Sequence, residues 1–147
     1  MPRKIITDGT LAPPVAPYCH AQKVGDTIYI SGAVSTDGNG EVVGRGDIRV
    51  QTRTVMDNIK KIIAHIGADL DDVVKMTVFI CDWRDYRGYN EVYGEYFSYP
   101  YPARSTFQST FLAQPGLLIE IEGVAVIGAK DKAEAVVSAG SLWKANN

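Results

Sequence analysis

The sequence predicts an α+β domain: a mainly antiparallel sheet of six strands carrying two helices on one face. Three observations lead there. Segments with period two, the signature of half-buried strands, occupy 20–31 and 102–126, and a β-branched run occupies 73–80. Two other segments repeat their apolar residues at helical spacing, over 48–66 and 86–99. The resulting order, strands, helix, strand, helix, two strands, suits helices layered on one side of a sheet.

Residues 4–7 read as a short strand ended by Asp8-Gly9. The passage from Leu11 to Tyr18 carries three prolines, which cannot donate to a sheet ladder, so it runs extended over the surface and presents the Tyr18 hydroxyl from a stiff segment. On the residues alone, Tyr18 reads equally as a rim residue packing that loop down. His20–Val24, Gly25-Asp26 and Thr27–Ser31 form a hairpin with Ile28 and Ile30 on one side and Tyr29 and Ser31 on the other. Gly32 either simply ends that strand or admits close approach of a neighbour. The glycines from Asp37 to Gly46 lack phosphate-loop spacing and make a plain loop.

Asp47 caps the first helix, whose stripe is Val55, Met56, Ile59, Ile62, Ile63 and Ile66, and Gly67 stops it. Val73–Ile80 is a β-branched run suited to a central strand. Asp85 is placed to cap a second helix from Tyr86 to about Tyr99. Its stripe of Tyr86, Tyr89, Tyr93, Tyr96 and Phe97 reads as core packing, with Asn90 one residue off it, facing solvent or holding a loop. Pro100 and Pro102 end that helix.

Pro102–Val126 then alternates in both halves around Gln114-Pro115-Gly116 and predicts an antiparallel hairpin. Ser105, Phe107, Ser109 and Phe111 share one face, and Arg104, Thr106, Gln108 and Thr110 the other. Ile119 and Ile121 face one way, and Leu118, Glu120, Glu122, Val124 and Val126 the opposite way. That last face is too apolar to stay wet, so self-association is expected there. Beyond Gly128 a short helix and a terminal segment with Trp143 follow.

The 147 residues and 16.0 kDa suit one domain with a real core. A formal charge of −2 supplies no basic field for a nucleic-acid backbone. No apolar run approaches a membrane span, the basic start lacks an apolar signal core, and Cys19 and Cys81 have no metal-ligand spacing, so the expectation is a cytoplasmic protein without metal.

The chemistry-bearing set is Arg104, Glu120 and Glu122. An arginine fork holds a carboxylate bidentately, and a glutamate accepts from a water or amine and moves a proton. The same three residues also describe a structural Arg–Glu pair bridging strands or subunits.

Pro102-Ala-Arg-Ser105 followed by Ile119-Glu-Ile-Glu122 resembles the signature of the Rid family (RidA/YjgF, reactive intermediate deaminases). Pro17-Tyr18, Ile30-Ser-Gly32, Asp57-Asn-Ile59, Val73–Phe79 and Tyr89-Asn90 with Tyr93 match in the same order, from about Pro17 to Val126. The resemblance implies a chorismate-mutase-like domain over 1–128, with 129–147 as an extension. It implies a homotrimer with ligand clefts between subunits, and hydrolysis of enamines and imines (2-iminopropanoate or 2-iminobutanoate type) to a 2-keto acid and ammonia without a cofactor. Arg104 matches the substrate-carboxylate clamp and Glu120 the residue positioning the attacking water. Tyr18, Ser31, Gly32 and Asn90 match cleft positions, and Thr106 stands where many members carry cysteine. Asp47–Arg53 and Gly88–Phe97 resemble 2-aminomuconate deaminases within the family. A non-catalytic trimer binding small carboxylates is the competing class. The endoribonuclease activity ascribed to the family is disfavoured by the acidic charge balance.

Overall fold

A computed structural model describes residues 2–132. Six strands, β1 (Arg3–Ile6), β2 (Ala21–Val24), β3 (Thr27–Val34), β4 (Val73–Ile80), β5 (Ala103–Gln108) and β6 (Ile119–Val126), join two helices, α1 (Ile48–Ala64) and α2 (Tyr86–Tyr96). The sheet order is β1-β2-β3-β6-β4-β5, antiparallel except for the parallel β4–β5 pair. The helices share one face, as the layer argument predicted, and the β2–β3 hairpin closes at Val24–Thr27 around Gly25.

The core lies between helices and sheet. Val55, Met56, Ile59, Ile62 and Ile63 of α1 meet Ile28 and Ile30 of β3, Met76, Val78 and Ile80 of β4, and Ile119 and Ile121 of β6, all buried. Burying each such side chain contributes roughly 1.5–3 kcal/mol. Asp47 caps α1 by accepting from the Arg49 and Val50 amides, and Gly67 leaves it at φ 75°, a backbone region that suits glycine. The helices approach so closely at Gly88 that a Cβ there would lie 2.7 Å from Ile48 Cγ2.

Three expectations about the elements themselves fail. Residues 102–126 are not a hairpin, because β4 inserts between β5 and β6. Alternation assigns the faces within β5 and β6 correctly but says nothing about which strand is the neighbour, and β4 satisfies the ladders of both. Asp85 makes no side-chain cap, since its own backbone is already helical (φ −81°, ψ −7°). Asp82 caps the preceding 3-10 turn, Trp83–Asp85, instead. Helix α2 ends at Tyr96 rather than near Tyr99, where Phe97 turns extended and buries its ring.

The other sheet face carries Tyr29 and Phe107, each more than half exposed, with half-buried Val124 and Val126. Leu118, which precedes β6, packs against the core instead. Beyond Gly128 the described chain makes one 3-10 turn, Ala129–Lys132, tied to the body by a Lys130–Asp69 ion pair. Trp143 lies outside the described residues.

Candidate active site

The sequence-derived site residues fall into two groups on opposite sides of the sheet. The first is built on the helix side, at the β5 edge. Arg104 opposes Met76 across the parallel ladder, which turns its side chain toward α2. There its guanidinium carbon sits 5.0 Å from the Tyr89 ring centroid and 4.8 Å from that of Tyr93, both within cation–π range. Arg104 Nη1 donates to Asn90 Oδ1 at 2.7 Å, and Asn90 Nδ2 donates back to the Tyr86 carbonyl at 2.9 Å. Residues 89, 90 and 93 lie on adjacent parts of one helix face, so one turn of α2 sets the pose of the cation.

The aromatic stripe is therefore core packing and platform at once. Tyr89 and Tyr93 are buried and meet edge to face at 6.2 Å. The Tyr89 hydroxyl is hydrogen-bonded to Thr106 Oγ1, two residues beyond Arg104 on the same strand face. Burial pushes both phenols up, so both rings stay neutral beneath the cation. The Tyr93 hydroxyl is buried without a hydrogen-bond partner among the described residues. Asn90 neither faces solvent nor holds a loop: it orients the arginine. Arg104 and Asn90 line a cavity of about 420 Å³ with Tyr86, Tyr93, Tyr101 and Pro102. Thr106 does not line it but braces Tyr89.

The second group lies around Gly32. The register shift between Ile30 and Ala33 sets Ser31 and Gly32 together against one residue of β6, a β-bulge that sends the next inward position to Ala33. A Cβ on Gly32 would stand 2.7 Å from Glu120 Oε2 and 2.9 Å from its Cδ. The close approach that Gly32 permits is thus by Glu120. Burial, and secondarily the Glu122 carboxylate two residues on, raise the Glu120 carboxyl above its ordinary range. Ser31 Oγ donates to the Cys19 carbonyl at 2.7 Å, tying the proline-rich loop to the bulge, and Tyr18, Ser31 and Gly32 line a common pocket with His20 and Gln114. His20 anchors that loop: its Nδ1 accepts from the Asp8 amide at 3.0 Å and its Nε2 lies 3.1 Å from the Ala12 carbonyl.

Within one chain these groups do not meet. Ile119 and Ile121 point into the helix-side core, so Glu120 must point the other way, while Arg104 shares the helix side with Met76. Sequence reasoning had placed the charges on neighbouring strands. The residues it missed are Tyr89 and Tyr93 as supports of Arg104. Their i, i+4 spacing around Asn90 was the available signal. A larger open cleft of about 600 Å³ lies elsewhere, along α1 and α2, but its charges are mostly paired: Arg53 with Glu95, Asp57 with Tyr96, Asp69 with Lys130. Among the described residues no group of three or more potential ligands is placed to hold a metal, and no helix is long and apolar enough to cross a membrane.

The two-layer α+β fold is shared with solved proteins of the Rid family. The chain belongs to this family, described as Endoribonuclease L-PSP, whose profile matches residues 9–127. It is 43% identical over 125 residues to the 3-aminoacrylate deaminase RutC of Acinetobacter baylyi, covering 85% of this chain and 98% of that protein. The solved structure of RidA from an Antarctic Psychrobacter superposes with a TM-score of 0.78 at 37% identity, covering 84% of this chain and 99% of that one. E. coli TdcF, solved with bound serine, superposes at 0.77 and 33% identity, covering 84% and 98%. The family thus includes deaminases alongside members named endoribonucleases.

Proposed function

We propose that the protein is a cofactor-independent deaminase that hydrolyses carboxylate-bearing imines and enamines to the oxo acid and ammonia. The observation that carries the reading is the preset Arg104, held by Asn90 at 2.7 Å over two tyrosine rings in the wall of a cavity. A guanidinium oriented before ligand arrives spends less of the binding free energy on ordering, and its fork matches a carboxylate. The RutC relative, an enamine deaminase, and TdcF with bound serine support a small substrate of this kind.

The chemistry asks little more. An enamine takes a proton on carbon to become an iminium ion, whose carbon is electrophilic. Water adds there, a proton passes from the water to nitrogen, the C–N bond breaks, and ammonia leaves behind the new carbonyl. Glu120, with its raised carboxyl, is suited to exchanging that proton with the attacking water. Because Glu120 and Arg104 occupy opposite faces of one chain, the complete site needs the Tyr18–Gly32–Glu120 group of another copy beside Arg104. A homotrimer joined through the uncovered sheet face supplies it. Residues 1–128 are the functional domain in this reading, and 129–147 an extension.

The test generates 2-iminopropanoate, 3-aminoacrylate and 2-aminomuconate in situ and follows the loss of each, with Arg104→Ala as control. Arg104→Ala is expected to lose activity by about 10²–10³-fold with oligomeric state intact. Full activity in that variant overturns the mechanism. Saturable keto-acid binding without turnover of any imine points to the carboxylate-binding trimer.

A further inference from the structure

The wall of the Arg104 cavity is more aromatic than a three-carbon acid requires. Its lining contains a single charged side chain, Arg104, and the Asn90 amide is already committed to Arg104 and to the Tyr86 carbonyl. The remaining surface is Tyr86, Tyr93 and Tyr101 with Gly94 and Pro102. At about 420 Å³ the space falls within the roughly 300–1,000 Å³ typical of sites that enclose drug-sized ligands.

The wall continues outward. Trp83 stacks on Tyr86 with centroids 4.5 Å apart and planes 15° apart, yet stays 51% exposed. Its backbone amide donates to Gln108 Oε1 at 2.7 Å, at the end of β5. Tyr86 is braced from behind by Tyr89, edge to face at 5.6 Å. Tyr101, 40% exposed, stands on the approach to β5. An indole this exposed forgoes the burial that would stabilise it, and its stack on Tyr86 extends the aromatic surface outward.

We propose that Trp83, Tyr86 and Tyr101 form a side-chain subsite that makes this site prefer imino acids with aromatic or other flat apolar side chains over short aliphatic ones. The carboxylate sits on Arg104 and the side chain lies along the Tyr86–Trp83 surface. The inference rests on Arg104 being a carboxylate clamp, but not on turnover, so the two readings fail separately.

The stable keto acids phenylpyruvate and pyruvate serve as probes, read by Trp83 fluorescence in a Trp143→Phe background that leaves Trp83 as the sole tryptophan. Phenylpyruvate is expected to bind at least about tenfold more tightly, the worth of one good ring contact. Tyr101→Ala and Tyr86→Leu are each expected to shrink that ratio at least threefold. Tyr101 is exposed enough for its truncation to spare the fold. A parallel comparison takes kcat/KM for the imines that an amino-acid oxidase makes from phenylalanine and alanine. Equal binding of the two keto acids, or a ratio unchanged in Tyr101→Ala, overturns the subsite. A clear keto-acid preference without turnover of either imine keeps the subsite and removes the deaminase. Turnover of both imines at equal kcat/KM, with no keto-acid preference, does the reverse.

Discussion

The Arg104 and Glu120 regions are built to different degrees of completeness. Around Arg104 one chain supplies everything: two rings below the cation, an amide acceptor at 2.7 Å, and a Tyr89–Thr106 tie that holds helix to strand. Around Glu120 one chain supplies a bulge, a glycine that makes room, and a carboxylate facing an open sheet surface. The cation is preset by its own chain, and the acid is left facing whatever packs on the sheet. A binding group gains from being ordered before its ligand arrives. The Glu120 carboxyl is raised within its own chain already, chiefly by burial, which suits a proton carrier.

The sharpest way to break that comparison is complementation. Arg104→Ala and Glu120→Gln are each expected to lose two or more orders of magnitude in kcat/KM, a loss expected for a missing charge clamp or proton carrier. If the halves come from different copies, refolding the two inactive variants together at equal amounts restores about a quarter of the sites, each drawing one intact half from each kind of chain. Recovery at the level of the separate variants places both halves in one chain.

Gly32→Val follows in size. Its side chain enters the space of the Glu120 carboxylate, the mobile end of a flexible chain, so the carboxylate moves and the strand stays. A displacement of this kind costs roughly 10–100-fold in kcat. Thermal unfolding should shift little, and a large loss of Tm with kcat unchanged would make Gly32 a packing residue alone.

Tyr89→Phe keeps the ring beneath Arg104 and removes the bond to Thr106. A loss of about 1 kcal/mol of stability is expected, with KM raised a few-fold and kcat nearly kept, since only the preset of the clamp is loosened. A loss confined to kcat contradicts that role.

The smallest effect is a shift in pH profile. In the proposed reaction Glu120 receives the water's proton in its ionised form, so activity is expected to fall as pH drops through its raised pKa. Burial is the larger cause of the rise and Glu122 the smaller. Glu122→Gln removes the second cause, lowers the Glu120 pKa and moves the acid limb of kcat to lower pH. An acid limb that stays put, or moves upward, means another group titrates there.

Much of the fold is legible in the chain. Period-two and helical patterns place β2, β3, β5, β6 and both helices, because those periods are imposed by which side of each element is buried, and a β-branched run places β4. Asp47 and Gly67 mark the ends of α1 for local reasons, a side-chain oxygen for free amides and a backbone angle suited to glycine. Asp85 was misjudged because capping depends on the backbone angles of the capping residue, which the 3-10 turn before it had already made helical.

By itself, then, the sequence determined the elements and the face each side chain takes within its own strand, while its likeness to the Rid family singled out Arg104 and Glu120. Only the tertiary structure decided that β4 separates β5 from β6, that Arg104 and Glu120 leave the sheet on opposite sides, and that α2 rather than a loop receives the arginine. The reason is physical. Alternation records burial along one strand, a local property, whereas neighbour choice is settled by ladders between residues far apart in the chain. Val73–Ile80 pairs on both edges, and its insertion separates the strands that an apparent hairpin would have joined.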